Sequence, residues 1–144
     1  MLVRRIAYTD YNGDDQVDEC MFNLSQAELA KMSLSQSGRL EDYIREMIRE
    51  RDVERIGELA DKLIRMSYGK KSIDGRRFIK SEELTTEFVQ TEAYSELYME
   101  LMSDAEALAN FIVGIVPAKM LPTDKSKEQL VKETLSQTNE ELAK

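Results

Sequence analysis

Apolar residues recur with a period of two near the N-terminus and with a helical period further along the chain. The early apolar positions are Ile6, Tyr8, Cys20, Phe22 and Leu24. A two-residue spacing is typical of a half-buried strand. Asn12-Gly13 lies between the two runs and favours a hairpin turn, because both residues tolerate positive φ. The pattern predicts a β-hairpin over residues 1–24.

Four later segments share one template of apolar residues, at i, i+3, i+4, i+7 and i+8. They start at Leu40, Ile56, Tyr94 and Leu108. Each template forms one apolar stripe, as on a helix that packs against a core. A further short helix is indicated after Ser81. We therefore predict a mainly α fold, with the N-terminal hairpin followed by a compact bundle of about five to six helices.

The predicted helices begin at residues whose side-chain oxygens can accept hydrogen bonds from first-turn backbone amides. These predicted N-caps are Ser25, Asp52, Thr91 and Ser103. Ser25 and Ser103 each precede a Glu by three residues, which is the spacing of a capping box.

Glycine and proline positions predict where the helices stop. The first helix is expected to end at about Leu34, before Gly38. Tyr68-Gly69 is expected to end a later helix, Asp74-Gly75 to form a turn, and Phe78-Ile79 to form a short extended stretch. Residues 1–117 are predicted to form one domain. Residues 118–144, which start between Pro117 and Pro122, are predicted to be a linker and a mobile, partly helical tail.

The composition excludes several classes of function. The 144 residues include one Cys and no His, so they cannot form a disulfide framework, a Cys-rich or His-containing zinc site, or a His-based triad. The formal net charge of -8 disfavours general nucleic-acid binding. The N-terminus lacks a signal-peptide core, and no run of about 18 apolar residues is present, so we expect no membrane partner. No cofactor is predicted.

The charges are unevenly distributed along the chain. Residues 67–80 carry a net charge of +4, whereas residues 81–116 contain no basic residue and carry -8. The basic cluster consists of Lys70, Lys71, Arg76, Arg77 and Lys80. It is predicted to form a positive patch that binds phosphate or an acidic partner. The alternative is that the basic cluster pairs with the acidic segment of the same chain, in which case it has no role in partner binding.

The N-terminal acidic cluster is interpreted as the tip of the hairpin. Asp10, Asn12, Asp14 and Asp15 resemble the start of a calcium loop. An EF-hand loop needs Gly at its sixth position and Glu at its twelfth, where this chain has Asp15 and Met21. Cys20, in the following strand, is interpreted as a buried apolar side chain.

A second acidic row lies on one face of a predicted helix. Glu92, Glu96 and Glu100 stand at i, i+4 and i+8, which would suit a metal-binding or acid–base face. No Glu-x-x-His partner exists for a carboxylate-bridged metal centre. A solvated face is therefore favoured. In the absence of a catalytic constellation, the residues indicate a binding or assembly protein and not an enzyme.

One long motif is distinctive. It runs from Leu63 to Ser81 (LIRMSYGKKSIDGRRFIKS) and continues through Phe88 into residues 90–101 (QTEAYSELYMEL). Together with the N-terminal YTDYNG and FNLS elements and the ending F…GIVP, it resembles the tail assembly chaperone family of long-tailed bacteriophages. The resemblance covers about residues 1–117, and we identify no feature of that family beyond Pro117.

The resemblance implies a non-catalytic chaperone that acts in the cytoplasm of the infected bacterium. Such a protein binds the tape-measure protein, keeps it soluble, helps recruit tail-tube subunits, and is absent from the mature virion. Many members are made in two forms by a ribosomal frameshift, and this chain would be the shorter form or one that never frameshifts. We predict partner contacts at Tyr68, Lys70, Lys71, Arg76, Arg77, Phe78, Lys80, Tyr94 and Tyr98.

Two other functions stay open at this point. The chain could be a structural virion component, such as a head–tail connector or a minor tail protein. It could also be a small hydrolase that uses Glu92, Glu96 or Glu100 with a divalent metal. Self-association into a homo-oligomer is a further open alternative.

Overall fold

A computed structural model describes residues 1–32, residue 42 and residues 53–117. The chain begins with the predicted hairpin, in which β1 (Leu2–Thr9) pairs antiparallel with β2 (Asp15–Phe22). The predictions made at Leu34, Gly38, Leu40 and Asp52, and for the linker and tail over residues 118–144, lie outside the described residues.

The hairpin tip is ordered by its own side chains. The Asp10 carboxylate accepts hydrogen bonds from the backbone N–H groups of Asn12 and Asp14, both at 2.9 Å, and from the Gln16 amide at 2.9 Å. Gly13 has a φ of 85°, which is readily adopted only without a Cβ. These hydrogen bonds, led by the one from Gln16, lower the pKa of Asp10. The acidic tip is thus a turn, as expected.

The sheet extends beyond the hairpin. β3 (Tyr68–Lys71) pairs antiparallel with β2, and β4 (Phe78–Ile79) pairs antiparallel with β3, giving the strand order β1-β2-β3-β4. Gly75, with a φ of 73°, forms part of the predicted turn between β3 and β4. The expected helix stop at Tyr68 and the expected extended stretch at Phe78 are therefore two strands of one sheet.

Five helices are present among the described residues. They are α1 (Gln26–Lys31), α2 (Val53–Ser67), α3 (Glu82–Val89), α4 (Glu92–Ser103) and α5 (Ala105–Ile115). α4 occupies the middle of the fold, because it packs against β1, α2, α3 and α5. The predicted mainly α bundle is wrong. A four-stranded antiparallel sheet forms one layer of the molecule, so the fold is mixed α/β.

Two of the predicted helix N-caps are confirmed in the described part of the chain, and one is wrong. Ser25 forms the predicted capping box with Glu28, and Thr91 caps α4 as predicted. Ser81 caps α3, where the sequence analysis predicted a helix but named no cap. The predicted cap at Ser103 is wrong, because its hydroxyl donates to the carbonyl of Met99 at the end of α4. The next residue, Asp104, is extended and accepts from the backbone N–H groups of Glu106 and Ala107. A carboxylate is also favoured there by the helix dipole.

Aromatic rings join the sheet to the helices. The Phe22 ring lies 5.7 Å from Tyr68, 5.9 Å from Phe88 and 5.3 Å from Phe111, measured between ring centroids. Tyr68 and Phe88 are stacked at 4.2 Å. Aromatic pairs of these geometries add roughly 0.5–1.5 kcal/mol each beyond the burial of their surface. Phe22, which is fully buried, is the centre of this aromatic cluster.

Backbone hydrogen bonds fix the exit of β2 to two helix ends. The Asn23 N–H donates to the carbonyl of Ser67 at the end of α2, and the Leu24 N–H donates to the carbonyl of Ile115 at the end of α5. The buried Ser67 hydroxyl donates back to the Leu63 carbonyl at 2.6 Å. The two backbone bonds satisfy carbonyls that a helix end leaves without intrahelical partners. The ends of α2 and α5 are therefore held at the edge of the aromatic cluster.

Candidate functional site

A groove of about 600 Å³ lies between α2 and α4. Its lining residues are Glu54, Gly57, Glu58, Asp61, Tyr94, Tyr98 and Met102. This volume lies within the range of about 300–1,000 Å³ that is typical of binding clefts. The groove can admit several side chains of a bound partner.

The two walls of the groove differ in chemistry. The α2 wall carries the carboxylates Glu54, Glu58 and Asp61, spaced so that they recur with each helical turn. The α4 wall carries Tyr94 and Tyr98, whose rings are stacked with centroids 5.8 Å apart and planes inclined by 23°. The groove thus combines an acidic side with an aromatic side.

One hydrogen bond connects the two walls. The Tyr94 hydroxyl donates to the Asp61 carboxylate, which also accepts from the Arg65 guanidinium at 2.9 Å. Burial and then this hydrogen bond raise the pKa of Tyr94 well above its ordinary value of 10. Tyr94 therefore stays a neutral donor at physiological pH and holds α4 against α2.

Gly57 sets how closely the walls approach. A Cβ at this position would stand 2.6 Å from the Tyr98 hydroxyl oxygen and 3.3 Å from the Met102 methyl carbon. Glycine inside a helix costs about 1 kcal/mol relative to alanine. Its presence in α2 is explained by the space that Tyr98 and Met102 need at the floor of the groove.

The predicted basic cluster lies mainly on the β3–β4 hairpin. Lys70 and Lys71 are exposed on β3, and Arg76 and Arg77 are exposed in the connection that follows. Lys80 is different, because its ammonium bonds both oxygens of Glu28 in α1, at 2.8 and 2.6 Å.

The Lys80 ion pair is a structural link between β4 and α1. Burial alone would raise the pKa of Glu28, but the hydrogen bonds from Lys80 and Ser25 outweigh it and lower that pKa. The Glu28 carboxylate therefore has two partners already, one at the helix cap and one beyond β4. Lys80 is half-buried and directed at α1, whereas the four other cations of the cluster are exposed.

The remaining predicted contact residues occupy different environments. Tyr68 is buried, with 9% of its surface exposed. Phe78 is half-buried and lies against Gly69, where an added Cβ would be 2.7 Å from its ring. Stacking connects Tyr68 to Phe88, whose ring meets Tyr94 edge-on at 6.1 Å. A chain of rings thus runs from the core to the groove, with only its last members in the groove wall.

The acidic row on α4 faces the hairpin and not the groove. Glu100 pairs with Arg4 of β1 at 2.6 Å, and Glu92 accepts a hydrogen bond from Tyr11, which raises the pKa of that tyrosine. Glu96 lines a smaller cavity of about 320 Å³ with Arg4 and Arg5. These contacts give the row a structural role between α4 and β1.

The other reactive side chains have structural surroundings. Burial raises the pKa of the Cys20 thiol to about 11, so it stays protonated at neutral pH. Within residues 1–32 and 53–117, no group of three or more Cys, Asp or Glu is arranged to hold a metal ion. None of the helices in the described part of the chain is long and apolar enough to cross a membrane.

Several groove residues escape the sequence analysis. Tyr94 and Tyr98 are among the predicted contacts, but Gly57, Glu58, Asp61 and Met102 are not. The available signal was the row of carboxylates on α2, which flanks the apolar stripe as the Glu92 row does on α4. That row becomes informative only when α2 and α4 are known to be neighbours.

The comparison with protein families identifies the family of this chain. A family model described as phage tail assembly chaperone matches residues 1–144. The chain belongs to this family. The match spans the whole chain, so it includes the segment beyond Pro117 in which the sequence analysis found no family feature. No curated protein and no solved structure gives a significant match. Membership supports a chaperone role in the assembly of phage tails, with phage tail proteins as partners.

Proposed function

We propose that this chain binds the tape-measure protein during tail assembly and aids the recruitment of tail-tube subunits. It acts in the cytoplasm of the infected bacterium and does not remain in the finished particle. The proposal is supported by membership of the phage tail assembly chaperone family. A tape-measure protein is long and helical, and its apolar stripes need cover before the tube encloses them.

The groove between α2 and α4 is the observation that carries this proposal. It offers aromatic and thioether surface at Tyr94, Tyr98 and Met102 beside charged residues that stay exposed to water. Grooves between helices are a common site for amphipathic helices. Tyrosine is enriched among residues that dominate binding energy, because it combines a rigid apolar ring with a polar end.

The β3–β4 hairpin supplies a separate contact in this proposal. Lys70, Lys71, Arg76 and Arg77 are exposed and can meet an acidic surface of a tail protein. Tyr68, Phe78 and Lys80 contribute by fixing this hairpin to the rest of the fold.

Co-expression tests the binding of the tape-measure protein. The tape-measure protein of the same phage is produced with this chain, or with an unrelated acidic protein of similar size, and its soluble fraction is measured after lysis. We expect a several-fold larger soluble fraction with this chain, and recovery of the two proteins as a complex. An equal soluble fraction in both cases would contradict the proposal.

Mass spectrometry of purified phage particles separates the chaperone from a structural component. A chaperone that leaves the tail gives no peptides from this chain above the level of host contaminants. A constant number of copies per particle would instead support the alternative of a connector or a minor tail protein.

A further inference from the structure

We infer that the client segment bound in the groove is an amphipathic helix that carries Lys or Arg beside its apolar stripe. The inference rests on the proposed function and adds the chemical class of the bound segment. Three features of the groove lead to this inference: the spacing of its lining residues, its charge and its aromatic wall.

The repeat of the lining residues fits a helix. The α2 wall contributes residues at i, i+3, i+4 and i+7, and the α4 wall contributes Tyr94, Tyr98 and Met102 at i, i+4 and i+8. Contacts along each wall therefore recur with the helical pitch of about 5.4 Å. Side chains on one face of an extended strand recur every ~6.8 Å, so over two repeats a strand falls about 3 Å out of step.

The charge of the lining selects a basic partner. Three of the described residues that line the groove, Glu54, Glu58 and Asp61, are carboxylates. Arg65 bonds Asp61 from outside the lining, and Glu58 is exposed further along the same wall. Carboxylates beside a low-dielectric surface attract Lys and Arg, and they oppose Asp and Glu on an incoming helix. An acidic or neutral helix would lose this attraction.

The aromatic wall strengthens the preference for a cation. A Lys or Arg placed over a tyrosine ring is attracted by the negative face of the ring. The stacked rings of Tyr94 and Tyr98, with Met102 beside them, also accept the apolar stripe of the same helix. The methylene stem of Lys or Arg can lie along this surface while its charge reaches the carboxylates of α2.

Two designed peptides test the inference directly. Both are helices of about 20 residues, long enough to be stable in isolation, with the same leucine stripe. One carries Lys beside the stripe and the other carries Glu. Each is titrated into the full-length chain at low salt by fluorescence anisotropy. We expect the Lys peptide to bind at least about tenfold more tightly than the Glu peptide, and to weaken as salt shortens the Debye length.

A pair of charge-reversal variants assigns the binding to the groove. Glu58→Lys changes the α2 wall, and Glu87→Lys makes the same change at an exposed position of α3. We expect about a tenfold loss of Lys-peptide affinity for Glu58→Lys and less than about a twofold change for Glu87→Lys. Circular dichroism checks that both fold. Glu58→Gln, expected to lose less, replaces Glu58→Lys if that variant does not fold.

The outcomes separate this inference from the proposed function. Equal binding of the two peptides, or equal losses in the two variants, overturns the inference. A change of sedimentation coefficient in Glu58→Lys, with peptide binding unchanged, also overturns it and assigns the groove to a second copy of this chain. If the wild-type chain nevertheless keeps the tape-measure protein soluble, the proposed function stands. If it does not, the proposed function fails whatever the peptides show.

Discussion

The aromatic cluster around Phe22 and the tyrosine pair in the groove are built from the same kind of side chain but have different surroundings. Phe22 is fully buried, and the rings of Tyr68, Phe88 and Phe111 surround it. Tyr94 and Tyr98 are half-buried and lie beside the carboxylates of α2. The two regions meet where Phe88 lies edge-on to Tyr94 at 6.1 Å. An aromatic stripe can thus serve stability at one end and recognition at the other, according to what faces it.

Removing the central ring should give the largest loss of stability. Phe22→Ala deletes a fully buried side chain that contacts three other rings. We expect the free energy of unfolding to fall by about 3–5 kcal/mol. Urea denaturation followed by circular dichroism measures it. A loss below about 1 kcal/mol would show that the cluster does not hold the sheet to the helices.

Adding a methyl group at the buried glycine of β3 should lower the free energy of unfolding by less than Phe22→Ala does. In Gly69→Ala, the new Cβ would stand 2.7 Å from the Ile79 carbonyl oxygen and 2.7 Å from the Phe78 ring. Because a backbone atom cannot swing away, we expect a loss of about 1–3 kcal/mol in thermal or urea unfolding. Unchanged stability would mean that β3 and β4 are not paired as closely as described.

Removing one hydroxyl in the groove should have a smaller effect that depends on pH. Tyr94→Phe deletes the hydrogen bond to Asp61, for which we expect a loss of about 1 kcal/mol at pH 7. The raised pKa of Tyr94 means that this contribution is fully present below pH 10 and is lost as the pH rises above it. The difference between wild type and variant in urea unfolding should therefore shrink above pH 10. A constant difference up to pH 12 would contradict the assigned hydrogen bond.

The smallest effect on stability is expected at the groove glycine. In Gly57→Ala, the 2.6 Å approach involves the hydroxyl end of Tyr98, which can move, and alanine favours the helix by about 1 kcal/mol. We expect a net change within about 1 kcal/mol, with weaker Lys-peptide binding because Tyr98 is displaced. Thermal unfolding and anisotropy measure the two effects. A loss of stability equal to that of Gly69→Ala would remove the distinction between the two regions.

Local signals in the sequence predict much of the fold. The alternation at Ile6 and Phe22, the Ser25 capping box and the Asp74-Gly75 turn depend on residues close in the chain, and the structure confirms them. The sheet beyond the hairpin does not follow from such signals. β3 and β4 contain four and two residues, too few to show a period, and β3 is fixed by its pairing with distant β2.

The candidate site shows the same limit. The spacing of Tyr94 and Tyr98 predicts a helix stripe, but not whether its rings face the core or a groove. That depends on Gly57, Asp61 and Met102, and Gly57 and Asp61 come from a helix more than thirty residues away. The predicted cap at Ser103 failed for a local reason, because the hydroxyl of Ser103 is already bonded to the preceding helix.

The soluble fraction of the tape-measure protein, co-expressed with groove and control variants, tests the central claim most directly. The wild-type chain, Glu58→Lys and Glu87→Lys are compared at equal expression levels. We predict that wild type and Glu87→Lys keep the client soluble to the same extent, while Glu58→Lys loses most of that effect without a loss of its own stability. Full activity of Glu58→Lys would contradict the assignment of the groove as the client-binding surface.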